Sequence, residues 1–255
     1  MTMARVRGWP LDRDRTILLG GCLAMTGIAW LAMARLSMGM RMPDGQAMSM
    51  VAGAGALFAM WAVMMVAMML PSTLPFVFAF SQEQRRRQAQ RGTVVPTAFF
   101  VAGYLAVWVA FSAGCAGLQE FLHSRALLSP RMVSTSFVFS ACLLMGAGVY
   151  QWTPMKNACL HHCRTPFAFL LGEWHEGTSG AVRMGAEHGL FCVGCCWMLM
   201  LLPFAAGVMD LRWMAGITIL LMLEKMAPGG EWVSRIAGAA LAAAGAGVLW
   251  WGVAQ

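Results

Sequence analysis

The sequence predicts an all-α protein, a polytopic bundle of transmembrane helices, from its composition and its apolar runs. Of the 255 residues, 59% are hydrophobic and only 11% are charged, whereas soluble proteins carry about 25% charged residues. Several uninterrupted apolar runs approach or exceed the ~20 residues that a helix needs to cross a bilayer. The predicted partner of most of the surface is therefore the lipid bilayer, and the net charge of +7 does not require a nucleic acid.

The apolar runs predict about seven spans in two parts of the chain. Residues 1–50 hold an N-terminal tail, the first transmembrane helix and an external loop, and residues 51–255 hold the helix bundle with the motifs described below. The first helix has an alternative interpretation as a signal peptide cleaved near residues 32–34, but its apolar run is long for one. The expected spans are 16–36, 53–80, 94–117, 132–151, 184–208, 212–227 and 235–253.

Lysine and arginine are unevenly divided between the two sides of this arrangement. Alternate connections carry 13 on one side and 5 on the other. By the positive-inside rule, the N-terminus is expected on the cytoplasmic side of a cytoplasmic membrane and the C-terminus outside. Arg85, Arg86, Arg87 and Arg91 are expected in a cytoplasmic loop after the second span. Lys225, at the end of the sixth span, is expected to extend to the cytoplasmic interface.

The fifth span carries the most informative stripe of polar side chains. At 3.6 residues per turn, one face presents an imidazole and three thiols within roughly 100° of one another. Ionisable and thiol groups are costly inside a membrane and usually mark a functional site. Nitrogen and sulfur together are ligands for a soft or borderline cation. The expected ligands are His188, Cys192, Cys195 and Cys196.

A second set of ligands lies in the long connection 152–183, which we expect to be a cytoplasmic loop. Cys159 and Cys163 stand four residues apart with His161 and His162 between them. Structural zinc sites use the same residue types, although one such pair supplies only part of a tetrahedron. The cytoplasm keeps thiols reduced, which disfavours a structural disulfide. Two incidental cysteines near an interface are the alternative interpretation.

The second span carries a methionine stripe on one helical face, and thioethers are soft ligands that suit Cu(I). The ordinary interpretation is core packing, because methionine fills irregular gaps and the chain contains 24 methionines. The prolines that follow would free backbone carbonyls that neighbouring helices or water must satisfy. The stripe consists of Met64, Met65, Met68 and Met69.

Three motifs occur in this order: Trp-x-x-Met-Met-x-x-Met-Met-x-Pro-Ser at 61–72, Lys-x-x-Cys-Leu-x-x-Cys at 156–163 and His-Gly-x-x-Cys-x-Gly-Cys-Cys-Trp at 188–197. Over roughly residues 50–250 the chain resembles the bacterial domain-of-unknown-function family described as predicted metal-binding integral membrane proteins. The resemblance implies that the motif residues bind a metal, but it implies neither a particular metal nor a reaction. His161 and His162 fall on variable positions of the second motif. The implied ligands are Cys159, Cys163, His188, Cys192, Cys195, Cys196 and, more weakly, the methionine stripe.

The sequence therefore predicts a thiophilic metal site between the fifth span, the 152–183 connection and the methionine stripe. Cu(I) is the expected metal, because it suits both thiolate and thioether ligands, and Zn(II) is the alternative. The expected activity is non-enzymatic transport of copper or its delivery to a membrane metalloenzyme, with that enzyme or a metallochaperone as partner. Three alternatives stay open at this point. They are a thiol–disulfide oxidoreductase using Cys192 and Cys195 or Cys159 and Cys163, a haem or quinone subunit with His188 as ligand, and a helix bundle without chemistry.

Overall fold

The computed structural model describes residues 13–39, 53–91, 95–129, 132, 134–172 and 174–254. Their regular structure is helical, apart from one isolated bridge between Leu128 and Ser134. The predicted all-α fold is therefore confirmed. The N-terminal tail up to residue 12 and most of the expected external loop, residues 40–52, lie outside the described residues.

The first half of the bundle contains long helices. Helix α1 is Arg13–Gly39 and helix α2 is Ala54–Met69. A short 3-10 turn, Pro71–Thr73, joins α2 to helix α3, Leu74–Arg91, and helix α4 is Thr97–Ser124. Arg85, Arg86, Arg87 and Arg91 lie within α3, so the expected loop at these positions is wrong. Arg87 pairs with Glu83 one turn earlier at 2.8 Å, a spacing that supports the helix.

The second half contains shorter and broken helices. They are α5, Phe137–Tyr150; α6, Pro154–Arg164; α7, Pro166–Gly172; α8, Gly177–Cys196; a 3-10 turn, Leu199–Leu201; α9, Pro203–Ala206; α10, Leu211–Met226; and α11, Gly230–Val253. The chain bends by 72° between α8 and the segment Leu199–Ala206.

The expected loop 152–183 is wrong, because much of it forms α6 and α7. The Thr153 side chain accepts a hydrogen bond from the backbone N–H of Lys156, and Pro154 occupies the first turn of α6. Both features favour helix initiation. The cysteines and histidines of this segment therefore lie on a helix, where residues three and four apart share a face.

The number of membrane spans is not confirmed as seven. Four helices are long and apolar enough to cross a membrane, or five if the bent α8–α9 pair counts as one span. At 1.5 Å per residue, α5 and α10 are about 21 and 24 Å long, short of the ~30 Å hydrocarbon core. The candidate spans are Thr16–Met38, Ala54–Arg87, Thr97–Ser124 and Gly230–Val253, with Gly177–Ala206 as the bent fifth.

The helix ends nevertheless cluster as alternating passes require. The backbone of Ser134, just before α5, donates to the carbonyl of Phe204 in α9, and the N–H of Val208 donates to the carbonyl of Met132. The end of α4 and the start of α5 therefore meet the end of α9 and the start of α10. At the same end of the bundle, a Cβ added to Gly252 of α11 would press against Phe137.

Close packing between α4 and α8 fixes the position of the cysteine stripe. A Cβ on Gly185 would overlap the carbonyl oxygen of Phe100, and one on Gly189 would lie 3.3 Å from the carbonyl oxygen of Tyr104. Small residues let helix backbones approach in this way. The residue farther along α8 contacts the residue farther along α4, so the two helices run in the same direction. The cysteine-bearing end of α8 therefore lies beyond Tyr104.

Candidate metal centre

Two interrupted helices meet at the cysteines. The span Ala54–Arg87 breaks at Pro71–Thr73, and α8 ends at Cys196. The carbonyl oxygen of Met69, at the first break, accepts from the Ser72 hydroxyl at 2.9 Å and from the Tyr104 hydroxyl at 3.1 Å. Irregular backbone inside a membrane protein is tolerated where it is buried against protein or lines a cavity. The breaks place polar groups from several helices around one point.

Three thiols converge there from two helices. The sulfur atoms of Cys163 on α6 and of Cys192 and Cys195 on α8 all lie within 4.8 Å of one another, and all three residues are buried. The Sγ atoms of Cys163 and Cys195 are 3.9 Å apart. Metal–sulfur bonds of about 2.3 Å in a trigonal arrangement place sulfurs about 4 Å apart. The spacing of the three sulfurs, called the sulfur triad below, therefore fits a metal ion bound by three cysteines.

Another predicted thiol, that of Cys196, lies beside the sulfur triad but is not part of it. Its Sγ donates to the carbonyl oxygen of Cys192 at 2.9 Å, and the Cys195 Sγ reaches the same oxygen at 3.1 Å. Both thiols therefore hydrogen-bond back to the same backbone carbonyl about one turn earlier in α8. The cysteines that the structure describes are all free thiols.

A lysine and a tyrosine contact the Cys192 sulfur. The Lys225 ammonium donates to Cys192 Sγ at 3.0 Å and to the Ser72 hydroxyl at 2.9 Å. The Tyr104 hydroxyl lies 3.3 Å from the same sulfur. Lys225 is 8% exposed, so the expectation that it extends to the interface is wrong. The local sequence gives no signal for this contact, because Ser72 and Lys225 are 153 positions apart.

His188 lies one turn before Cys192, but its ring is held by other partners. The Nε2 atom lies 3.1 Å from the Thr73 hydroxyl, and the ring stacks on Phe76 with centroids 3.7 Å apart. His188 is 3% exposed. Among the described residues, it is not in the group of donors that meet within 4.8 Å.

The other predicted ligands of α6 lie farther out. Cys159 is half-buried, and His161 and His162 are exposed. A Cβ on Gly194 would lie 2.7 Å from Cys159 Sγ, so this thiol packs against the helix that carries Cys192 and Cys195. Burial raises the pKa of the Cys159 thiol above its usual value. The His162 ring stacks on Phe191 of α8 with centroids 4.2 Å apart.

A comparison with known protein families assigns the chain to one of them. The model of a family described as PpoB2, copper chaperone, matches residues 58–248. The chain belongs to this copper chaperone family. The matched region contains the sulfur triad, Lys225 and the methionine stripe. No match was found among curated proteins or among solved structures.

The predicted methionine stripe places thioether sulfur atoms in the core of the bundle. Its four members are completely buried and belong to the same hydrophobic core as Cys163, Cys192 and Cys195. The helix that carries them ends at Met69, whose carbonyl is joined through Tyr104 to Cys192. The members of the stripe are Met64, Met65, Met68 and Met69.

A network of buried charges holds α6, and with it Cys163, against the end of α10. Lys156 Nζ lies 2.8 Å from Glu224 Oε2, with both side chains completely buried. The other carboxylate oxygen accepts from Gln151 at 2.9 Å. Arg164 donates to the backbone carbonyls of Glu224 and Ala227, each at 2.8 Å. Glu224 therefore holds α6, the helix of Cys163, in place. Lys225, the next residue after Glu224, contacts Cys192.

Proposed function

We propose that this protein is an integral membrane copper chaperone that binds Cu(I) at the sulfur triad and delivers it to a metalloenzyme. The observation that carries the proposal is the convergence of three buried thiols within 4.8 Å in a chain that belongs to a copper chaperone family. Copper is here the cargo of the protein. Cysteine sulfurs are soft donors that suit Cu(I).

The geometry favours Cu(I) over Zn(II), which structural sites hold with four tetrahedral ligands. The sulfur triad supplies three. Cys196 hydrogen-bonds to a backbone carbonyl, and the His188 Nε2 contacts Thr73. A three-coordinate sulfur environment therefore requires no rearrangement of these two residues, whereas a tetrahedral site requires one of them to turn.

The membrane location is supported by the apolar helices and by the charge asymmetry. Four or five helices are long and apolar enough to span, and the positive-inside rule places the N-terminus in the cytoplasm. Tyr104, which contacts Cys192, stands seven residues after Thr97, where α4 begins. At 1.5 Å per residue this is about 10 Å. In this orientation the copper site lies in the cytoplasmic half of the bundle.

The outer ligands of α6 are proposed to form the route by which copper reaches or leaves the site. His161 and His162 are exposed, Cys159 is half-buried and Cys163 is buried, so potential ligands follow one another from the surface inward. Desolvating an ion is costly unless ligands replace its water at each step. Cys159 is the intermediate ligand in this route, and the methionine stripe offers soft sulfur on the far side of the break at Pro71–Thr73.

The test is Cu(I) titration of the detergent-purified protein against a chromophoric Cu(I) chelator under anaerobic conditions. The wild type is expected to bind about one Cu(I), and the Cys163→Ser, Cys192→Ser and Cys195→Ser variants are expected to lose most of this binding. Cys142→Ser is the matched control, because this thiol is exposed on α5. X-ray absorption of the loaded protein should show sulfur ligands at about 2.3 Å.

Three outcomes would contradict the proposed copper site. If the Cys192→Ser/Cys195→Ser protein retained as much copper as the wild type, these two cysteines would not be copper ligands. A disulfide between cysteines of the triad in freshly lysed cells, with no bound copper, would instead support a thiol–disulfide oxidoreductase. A visible Soret band would indicate haem.

A further inference from the structure

We infer that Lys225 is the fixed counter-ion of the copper–thiolate complex, a role that rests on the proposed copper site. The structure places its ammonium 3.0 Å from the Cys192 sulfur, inside the protein and next to the sulfur triad. The residue would act on copper affinity through Cys192 without binding the metal itself.

The surroundings of Lys225 explain why the cysteine sulfurs are the available anionic partner of its ammonium group. Glu224, its neighbour in sequence, uses one carboxylate oxygen for Lys156 and the other for Gln151. In the part of the chain that the structure describes, Lys225 forms no salt bridge, and its hydrogen bonds go to Ser72 and Cys192. A buried ammonium without an anion is costly. The partner that the structure offers is the cysteine sulfur.

The charge of the cargo complex matches that of the lysine. Cu(I) carries one positive charge, so a complex with two thiolates has a net charge of −1 and a complex with three has −2. Placing a net negative charge in a low-dielectric interior is unfavourable unless an opposite charge lies nearby. One ammonium neutralises the two-thiolate complex and halves the charge of the three-thiolate complex. A hydrogen bond between ionised partners is also stronger than a neutral one.

The hydrogen bond of Lys225 is specific to one sulfur, that of Cys192, whereas its charge acts on the complex as a whole. The ammonium is held on its other side by the Ser72 hydroxyl at 2.9 Å, at the break between α2 and α3. Tyr104 contacts the same sulfur at 3.3 Å. Cys192 therefore has two polar neighbours besides the other sulfurs of the triad, whereas the side-chain partners of Cys163 are the Cys192 and Cys195 thiols.

The test compares the Cu(I) dissociation constants of the wild type, Lys225→Leu and Lys225→Arg. Leucine is chosen over methionine because it removes the charge, whereas methionine would also add a thioether ligand. Loss of one charge-assisted hydrogen bond is expected to weaken binding by about 10- to 100-fold, and arginine should retain most of the affinity. Arg183→Leu is the matched control, because it removes one positive charge from an exposed position on α8. It should leave the dissociation constant within about twofold of the wild type.

A double-mutant cycle separates an electrostatic role from a purely structural one. In a Cys192→Ser background, Lys225→Leu should lower the affinity by a smaller factor, because the hydrogen bond to the Cys192 sulfur is already absent and only the effect of the charge on the remaining two-thiolate complex is lost. An equal loss of affinity in both backgrounds would overturn the inference, as would unchanged affinity of Lys225→Leu in the wild-type background. Failure of the wild type to bind Cu(I) would overturn the proposed function as well, so the two failures are distinguishable.

Discussion

At the scale of single residues, the site depends on which thiols the fold brings together. Cys192 and Cys195 share a face of α8, as the helical period predicts, and both belong to the sulfur triad. Cys163 joins them from α6, while Cys159 stays half-buried one turn earlier. The second cysteine motif therefore divides into one residue inside the triad and one on its outer side.

This division predicts different effects for two neighbouring cysteines. Cys163→Ser should lower the final copper occupancy, because it removes a sulfur of the triad. Cys159→Ser should slow loading from a Cu(I) donor by several-fold and leave final occupancy nearly unchanged. Stopped-flow mixing with a Cu(I)–chelator complex measures the rate, and metal analysis at equilibrium measures the occupancy. The proposed route would be wrong if Cys159→Ser loaded at the wild-type rate.

At the scale of helices, α6 is held in place by buried charges. The Lys156–Glu224 pair is completely buried, and Arg164 binds the carbonyls at the end of α10. Positive charge near a helix C-terminus is favourable. A helix of 11 residues is too short to be stable alone, so these contacts, with the packing of α6 on α8, position Cys163.

Glu224→Gln should destabilise the protein strongly, because it leaves the Lys156 ammonium buried without its anion. The expected loss is about 3–5 kcal/mol, measured as the free energy of unfolding in mixed micelles. The Lys156→Met/Glu224→Gln double variant should recover much of this loss. Glu187→Gln is the control, because its exposed pair with Arg183 should contribute less than about 1 kcal/mol. A similar loss in the single and double variants would contradict this account of α6.

Local sequence patterns predicted the helices and one face of the site, but not the contacts between distant segments. Periodicity places Cys192 and Cys195 together because both lie on one helix. It says nothing about Lys225, whose partner Ser72 is 153 positions away. Residues 152–183 were expected to form a loop because they connect two predicted spans, yet Thr153 and Pro154 start a helix there. The seven expected spans were inferred from hydropathy, which does not register how short α5 and α10 are.

At the scale of the whole molecule, four or five helices are long and apolar enough to span, and the shorter α5 packs antiparallel to one of them, α11. Gly148 of α5 packs against Gly238 and Ala242 of α11, while Gly245 packs against Ala141 and Met145. Residues later in α11 therefore contact residues earlier in α5, which means that the two helices are antiparallel. Short helices such as α5 and α10 are compatible with a membrane where neighbouring helices cover their ends.

This arrangement predicts on which side each end of the chain lies. With the N-terminus in the cytoplasm, an odd number of passes places the C-terminus outside, whereas an even number would place it in the cytoplasm. We expect a membrane-impermeant maleimide applied to intact cells to label Ala254→Cys and not Arg86→Cys, with both introduced into a Cys142→Ser background. Arg86 is the matched position, because its side chain is 69% exposed within the basic segment of α3. Labelling of Arg86→Cys from outside would reverse the orientation. Protection of both positions until the cells are permeabilised would indicate an even number of passes, while the copper site, which is placed relative to the start of α4, would stay in the cytoplasmic half.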